Sequence, residues 1–301
     1  MIDCIYIAAS DHDTRSTRIC ISSVRFFYPD LPVRLLLGGK VPVNFLEEVD
    51  RLWNVQPADI TPGNYGWGFI KLEPLFQPRP ERFLVLDSDT ILLGPVVTHA
   101  DQIDSPFIVD DERQSEVDTK RLYYDWEKVR IVDTEAKPPQ YTFNSGQWFG
   151  SSAVVRREEF TPWVRWDLPR TLLHPKAFMP GDQGILNYVL NQKAEDTLVA
   201  RRKLMRWPGH DLGDIALDEV KRGSGSPYRQ IVHWAGFKAA RLESLPRSDL
   251  LLYFEQLYYQ RHGGERLRRV RGWYYALKYW QNLFCHKFSH RFAMMRARFA
   301  T

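Results

Sequence analysis

The chain has 301 residues, of which 44% are hydrophobic and 14% are aromatic. Such a composition can bury one large core or two modest ones, and it excludes a disordered or fibrous chain. The formal charge of +4, from 41 Lys and Arg against 37 Asp and Glu, is too small to indicate nucleic-acid binding by itself.

The cysteines and the amino terminus bear on the compartment. Cys4, Cys20 and Cys285 lack any disulfide-like or metal-like spacing, which fits a reducing environment. The first residues lack the basic lead, the long apolar core and the cleavage site of a secretory signal. No segment approaches the roughly 20 apolar residues of a membrane span. We therefore expect a cytoplasmic protein.

The amino-terminal part of the chain alternates strands and helices. Apolar runs at 2–9 and 33–37 predict strands, and periodic stretches after Asp11 and at 45–53 predict helices. This order indicates a mostly parallel sheet, flanked by helices and connected by right-handed crossovers. The predicted fold class is therefore α/β.

A third apolar run, Phe83 to Leu86, ends in two carboxylates, Asp87 and Asp89. It predicts a strand covered on both faces, although its periodicity alone also allows a helix. In a strand, the two carboxylates share a face at the carboxyl end, where open α/β sheets bind ligands. A divalent cation with oxygen ligands would relieve their mutual repulsion. The alternative is a solvated turn, since the same spacing recurs at 11–13.

Two segments near this strand have both a functional and a structural interpretation. Ala8 and Ala9 leave room for a flat ring, or they simply permit tight packing of a helix on the sheet. Lys71, on a short helix predicted at 69–76, offers its ammonium group to a phosphate or faces solvent. Residues 101–140 are dominated by charge without a period, which predicts irregular structure covering the site.

Two further segments carry polar residues at predicted element ends. Asn144 stands beside Gly146, which marks a bulge or a close backbone approach, so its amide either binds a sugar hydroxyl or caps the bulge. The helix predicted after Gly181 begins with Asp182 and Gln183. Capping accounts for Asp182 and accounts less well for Gln183.

A short apolar strand from Gln230 ends in His233, followed by Gly236 and Lys238. These residues offer an imidazole to a metal, a close backbone approach and an ammonium group to phosphate. A lone histidine is, however, more often structural than a ligand.

In order and spacing, these segments resemble the retaining nucleotide-sugar glycosyltransferases of the GT-A fold, most closely glycosyltransferase family 8. The resemblance implies a GT-A, Rossmann-like domain over residues 1–247. The matching segments are Ile7-Ala8-Ala9-Ser10-Asp11, the helix with Lys71, Leu86-Asp87-Ser88-Asp89-Thr90, Phe143-Asn144-Ser145-Gly146, Asp182-Gln183 with Leu186-Asn187, and His233 to Lys238.

The resemblance implies a role for each matching residue. A Mn²⁺ or Mg²⁺ ion, which neutralises the leaving nucleoside diphosphate, would be held by Asp87, Asp89 and His233. The nucleotide would be bound by Ala8, Ala9, Asp11, Lys71, Ser88, Gly236 and Lys238. The donor sugar would contact Asn144, Ser145 and Asp182. Catalysis would fall to Gln183, at the anomeric carbon, and to Asp182, with retention of configuration inherited from the family.

The sequence departs from the family pattern at two places. Relatives usually have a lysine six positions beyond the histidine, followed by Pro-Trp, whereas Lys238 stands five beyond His233 and Arg241 offers a substitute. Gly184 follows Gln183 where many relatives have a second acid, which allows donor recognition to differ.

From residue 248 to 301 the composition shifts to Leu, Tyr, Trp and Arg, and helices are predicted at 250–262 and 266–298. In the second helix, Trp273, Leu277 and Trp280 recur at helical spacing among many Arg and Lys residues. A basic amphipathic helix of this kind lies on anionic membrane surfaces. The alternative is a helix packed on the catalytic domain. No module elsewhere supports nucleic-acid binding.

The sequence thus predicts a hexosyltransferase that transfers a sugar from a UDP-sugar to a glycan or glycolipid acceptor. The resemblance suggests bacterial cell-surface polysaccharide or lipopolysaccharide synthesis at the cytosolic face of the membrane. One alternative is a nucleotidyltransferase that makes nucleotide sugars, but residues 8–13 lack its Gly-rich phosphate loop. The other is an inactive, membrane-associated scaffold of the same fold.

Overall fold

A computed structural model describes residues 1–66, 68–112, 114–193, 198–208, 211–237 and 241–298, with side chains described up to Gln281. The chain divides into two compact units, Met1–Ala235 and Gly236–Thr301. Each unit is treated separately below. The boundary that the sequence predicts, between residues 247 and 248, stays a prediction.

Most strands of the first unit belong to one sheet. The strands are β1 Cys4–Ala9, β2 Val33–Leu37, β3 Val55–Pro57, β4 Arg82–Asp87, β5 Thr90–Leu92, β6 Phe107–Asp110, β7 Gln147–Ser151, β8 Val164–Arg165, β9 Thr171–Leu172, β10 Val199–Arg202, β11 Met205–Arg206 and β12 Ile231–His233. The central sheet has the order β10-β6-β7-β4-β1-β2-β3, and only β7 is antiparallel to its neighbours. This mostly parallel sheet confirms the predicted α/β class.

Helices surround the sheet and form the end of the chain. They are α1 Thr14–Phe27, α2 Val43–Trp53, α3 Val96–Ala100, α4 Glu116–Leu122, α5 Trp126–Val129, α6 Arg157–Phe160, α7 Asp182–Gln192, α8 Leu217–Val220, α9 Ser248–Arg261 and α10 Gly264–Arg298, with 3₁₀ helices at Phe69–Phe76, Gly223–Gly225 and Leu242–Ser244. The helices predicted after Asp11, at 45–53, at 69–76 and after Gly181 are all present.

Strand β4 lies near the middle of the sheet, between β1 and β7. The side chains of Phe83, Leu84, Val85 and Leu86 are all fully buried, so both faces of the strand are covered. A strand covered on both faces needs an unbroken apolar run, because neither face meets water. The strand interpretation of this run is thus confirmed, and the helix alternative is wrong.

The segment 101–140 is more ordered than the sequence predicts. It contains α4, α5 and the strand β6, which pairs with β7 and β10 inside the central sheet. Irregular structure was the wrong expectation, because a four-residue strand among charged residues is too short to show a period. Since β6 and β4 both run antiparallel to β7, their carboxyl ends lie at the same edge of the sheet.

The second unit contains α9 and α10, which confirms the two predicted tail helices. Gly263 and Gly264 both have positive φ, 68° and 63°, at the break between these helices. Along α10, the side chains of Val270, Trp273, Tyr274, Leu277 and Trp280 are exposed. No described helix has a stretch that is both long and apolar enough to cross a bilayer.

Candidate functional site

The ends of three strands meet at the carboxyl edge of the central sheet. Ala8, near the end of β1, is the register partner of Asp87 at the end of β4. The chain then turns through Ser88 and Asp89 into β5, where Thr90 pairs with His233 of β12. The backbone N–H of Trp234 donates to the carbonyl of Asp89 at 3.0 Å, which fixes the turn against β12.

Asp87, Asp89 and His233 form a cluster of possible metal ligands. The Nε2 atom of His233 lies 3.2 Å from Asp89 Oδ1 and 3.7 Å from Asp87 Oδ2. One ligand atom from each residue lies within 4.8 Å of the others, and no other such group of three occurs in the described part of the chain. Asp89 and His233 are buried. Two carboxylates and an imidazole suit Mn²⁺ or Mg²⁺, so the donor set fits the predicted ion.

Gly146 makes room for the histidine of this cluster. A Cβ atom at position 146 would lie 2.1 Å from Cε1 and 2.4 Å from Nδ1 of His233. The backbone carbonyl of Gly146 also accepts a hydrogen bond from the N–H of Asp87 at 2.8 Å. The close backbone approach that the sequence predicts at Gly146 is therefore present, and the group that it approaches is His233.

Lys71 lies beside the metal-ligand cluster and is buried, so the solvent-facing interpretation is wrong. Its Nζ atom is 3.0 Å from Asp87 Oδ1 and 3.2 Å from Asp182 Oδ2, and it donates to the carbonyl and the hydroxyl of Ser145, both at 3.1 Å. Burial by itself lowers the pKa of Lys71, but the carboxylates of Asp182 and Asp87 outweigh it and raise that pKa. The side chain is therefore a fixed positive charge at the site.

Asp182 contacts this lysine rather than capping its own helix. The residue before α7 is Gly181, and no side chain caps the helix there. Burial raises the pKa of the Asp182 carboxyl, and the nearby Lys71 opposes this effect. Gly68 has φ +78°, and a Cβ atom there would lie 2.0 Å from Asp182 Oδ1. Sequence reasoning missed Gly68, because a glycine in a Gly-rich loop reveals nothing about the distant carboxylate that it accommodates.

Gln183 is held by hydrogen bonds at both ends of its amide. The Nε2 atom donates to the carbonyl of Leu122 at 2.8 Å, and Oε1 accepts from the N–H of Ser145 at 3.2 Å. One turn further along α7, the amide of Asn187 exchanges two hydrogen bonds with the backbone of Phe143. Helix α7 and the segment before β7 are thereby tied together, which fixes the direction of the Gln183 side chain.

Asn144 makes the capping contact that the sequence left open. Its Oδ1 atom accepts a hydrogen bond from the N–H of Gly146 at 2.7 Å. The capping interpretation is confirmed, and a contact between Asn144 and a sugar stays a prediction.

The absence of an acid at position 184 has a packing reason. A Cβ atom at Gly184 would lie 2.3 Å from the carbonyl oxygen of Tyr123 and 3.1 Å from the N–H nitrogen of Met179. Any side chain there would collide with backbone, so the glycine follows from the packing of the 123 and 179 segments on α7.

The remaining predicted nucleotide-binding residues are placed as follows. Ala8 and Ala9 lie at the end of β1, and Asp11 is exposed, with its Oδ1 atom 3.3 Å from His12 Nε2. Ser88 is buried, and its hydroxyl has no hydrogen-bond partner among the described residues.

Gly236 belongs to the second unit and has φ +82°. Lys238 lies outside the described residues, so its predicted role stays a prediction, as do the ligand assignments of the others.

Comparisons with known proteins support the fold. No protein-family profile and no curated protein matches the chain. Solved structures similar to it include a galactosyltransferase, LgtC, in complex with donor and acceptor sugar analogs, with 16% identity and a TM-score of 0.57 over 85% of this chain and 95% of that one. Others are the WbbM bifunctional glycosyltransferase (14%, TM-score 0.54, 86% of this chain, 51% of that one) and the apo form of the glycosyltransferase GlyE from Streptococcus pneumoniae TIGR4 (14%, 0.51, 85%, 60%).

These likenesses establish that the first unit has the GT-A fold, as predicted. The chain spans nearly the whole of the first of these structures but only 51% and 60% of the other two.

Proposed function

We propose that the protein is a metal-dependent glycosyltransferase that transfers a hexose from a UDP-sugar to a glycan or glycolipid acceptor. One observation carries the proposal: the Asp87–Asp89–His233 cluster and the buried Lys71–Asp182 pair adjoin at the ligand-binding edge of a GT-A sheet. The fold supports the class, since the similar LgtC structure was solved with donor and acceptor sugar analogs.

The residues around the cluster would bind and orient the donor. When a Mn²⁺ or Mg²⁺ ion is held by Asp87, Asp89 and His233, it supplies positive charge for the leaving diphosphate. Ala8 and Ala9 leave space for the base, and the ammonium group of Lys71 provides a fixed charge for phosphate. The carboxylate of Asp182 and the amide of Asn144 would bind sugar hydroxyls.

Gln183 is the residue that we assign to the anomeric carbon. Its Oε1 atom accepts one hydrogen bond, from Ser145, and keeps a second lone pair for the substrate. A carbonyl oxygen held in one direction stabilises the positive charge of an oxocarbenium-like transition state without needing to reorganise. The bond from carbon to phosphate oxygen breaks, a bond to the acceptor oxygen forms, and the acceptor proton passes to the leaving phosphate. Transfer with retention is part of this proposal.

Thermal melting with a panel of nucleoside diphosphates and nucleotide sugars, with and without Mn²⁺, tests the proposal. A ligand that binds only the native state raises the melting temperature. We expect a metal-dependent rise with UDP or a UDP-sugar in the wild type and in Asp218→Asn, whose carboxyl is 92% exposed, and none in Asp89→Asn. No rise with any nucleotide would contradict the proposal and favour the inactive scaffold.

We also propose that α10 attaches the enzyme to the cytosolic face of a membrane, in cell-surface polysaccharide or lipopolysaccharide synthesis. The exposed Val270, Trp273 and Leu277 stand among basic residues of the same helix, a combination that suits an anionic lipid surface. Co-sedimentation with anionic vesicles should fall in Trp273→Ala/Leu277→Ala relative to the wild type, and neutral vesicles provide the control. Equal sedimentation of both proteins would contradict attachment through this helix.

A further inference from the structure

Trp207 lies next to the histidine of the metal-ligand cluster. Strands β11 and β12 are parallel, with Met205 opposite Ile231 and Arg206 opposite Val232, so the next residues along, Trp207 and His233, come side by side. The centroids of their rings are 5.7 Å apart and the ring planes are tilted by 33°. This separation is within the range of offset-stacked aromatic rings.

The second ring nitrogen of His233, Nδ1, is buried. His233 is 3% exposed, and its Nδ1 atom has no hydrogen-bond partner among the residues that the structure describes. Histidines that bind metals almost always donate their second ring N–H to a carboxylate, a carbonyl or water, which fixes the ring orientation. Among the described residues, the contacts that restrict this ring are therefore packing contacts rather than a hydrogen bond to Nδ1.

Two contacts are available to restrict the ring. The backbone of Gly146 lies against the Nδ1–Cε1 edge of the imidazole, close enough that no side chain fits between them. The indole of Trp207 lies alongside the imidazole and is partly buried. A broad rigid ring restricts rotation of its neighbour more than a flexible aliphatic side chain does.

We infer that Trp207 is a positioning residue that holds His233 in its metal-binding orientation, in place of the usual hydrogen bond to Nδ1. This inference rests on the proposed metal site. It assigns to Trp207 a role in metal affinity that neither its position in the sequence nor the family resemblance suggests.

Direct Mn²⁺ binding tests the inference without measuring turnover. Free Mn²⁺ is followed by electron paramagnetic resonance while wild type, Trp207→Phe, Trp207→Leu and Trp207→Met are titrated. Loss of an orienting partner weakens metal binding by about 10- to 100-fold, which we expect for the leucine and methionine variants. Trp207→Phe keeps a planar ring and should bind nearly as tightly as the wild type. Trp126→Leu, in α5, is the matched control, because Trp126 is partly buried as Trp207 is and is not part of the metal-ligand cluster, and it should leave binding unchanged.

The outcomes separate this inference from the proposed metal site. If His233→Ala binds Mn²⁺ as tightly as the wild type, the metal site and the inference fall together. If His233→Ala loses binding while both Trp207→Leu and Trp207→Met keep it, the metal site stands and the role of Trp207 is refuted. Melting temperatures identify any variant whose binding loss reflects unfolding, and Trp207→Met, which fills most of the space, keeps the test decisive if Trp207→Leu does not fold.

Discussion

The 3₁₀ helix Phe69–Phe76 carries two buried charges, Lys71 and Glu73, that lie in opposite kinds of surroundings. Lys71 meets two carboxylates, those of Asp87 and Asp182, with a third, Asp89, beyond them. Among the described residues, the three carboxylates around Lys71 lie at the carboxyl edge of the central sheet.

Glu73 instead pairs with two arginines, Arg157 and Arg170. Aromatic rings line both guanidinium groups: Arg170 lies 4.3 Å from the ring centroid of Tyr65, and both arginines lie within 4.8 Å of that of Trp166. The two clusters differ in what completes them. The Glu73 cluster consists of an acid paired with bases of the protein, whereas the acids around Lys71 include the carboxylates that we propose as ligands of a divalent cation.

The strongest test of this contrast is the removal of one metal-ligating acid. Asp89→Asn keeps the shape of the side chain but removes its charge, so the site loses cation binding and the stabilisation of the leaving group. We expect donor turnover to fall by about 10³-fold, since metal electrostatics contributes several kcal/mol. Hydrolysis of a UDP-sugar in Mn²⁺ measures the effect, and Asp218→Asn provides the surface control. Turnover within tenfold of the wild type would exclude Asp89 from the site.

Removing the charge of Glu73 should instead lower the stability of the folded protein. Glu73→Gln leaves the buried guanidinium group of Arg170 and the partly exposed one of Arg157 without a carboxylate. Breaking a buried pair such as Glu73–Arg170 costs about 3–5 kcal/mol of unfolding free energy. Urea denaturation measures that loss. In the protein that remains folded, the Kd for Mn²⁺ should stay at the wild-type value. A variant that loses metal affinity but not stability would reverse the roles that we give to the two clusters.

The effect of Gly146→Ala on metal binding should lie between those of Asp89→Asn and Glu73→Gln. The added methyl group would lie 2.1 Å from the His233 ring, so the imidazole must leave its present position beside Asp89. We expect metal affinity to fall by about 10- to 100-fold, as it does when a ligand loses its orientation. Calorimetric titration with Mn²⁺ measures the change. Gly39→Ala is the control, because nothing lies within 4 Å of the Cβ position there. Unchanged affinity would mean that the imidazole is not a ligand.

The smallest expected effect concerns pH and Asp182. Burial raises the pKa of this carboxyl above its value in the unfolded chain, so the folded state binds more protons between the two values. The stability of the wild type relative to Asp182→Asn should therefore be highest below about pH 4 and fall as pH rises through the raised pKa. Urea denaturation from pH 4 to 8 measures the difference. A difference that grows with pH would show that attraction to Lys71 outweighs burial.

Much of the site could be predicted because its residues stand at the ends of strongly patterned elements. The end of the apolar run marks where the strand before Asp87 ends, and Gly181 marks where the helix with Asp182 begins. An α/β order brings such element ends together. The Glu73 cluster could not be predicted, because its partners lie 84 and 97 residues away along the chain. The same holds for Trp207, which reaches His233 only through the register of two short strands.

The placement of Lys71 and Glu73 on one short helix has a consequence for substrate binding. Moving Lys71 toward a ligand would drag Glu73 away from Arg157 and Arg170, and Arg170 in turn lies against Tyr65 in the preceding loop. This wall of the site is therefore stiff, and its positive charge needs no ordering when a donor arrives. Binding of a donor to Lys71 therefore costs little conformational entropy. Any closure over the donor is expected to come from parts of the site other than the 3₁₀ helix.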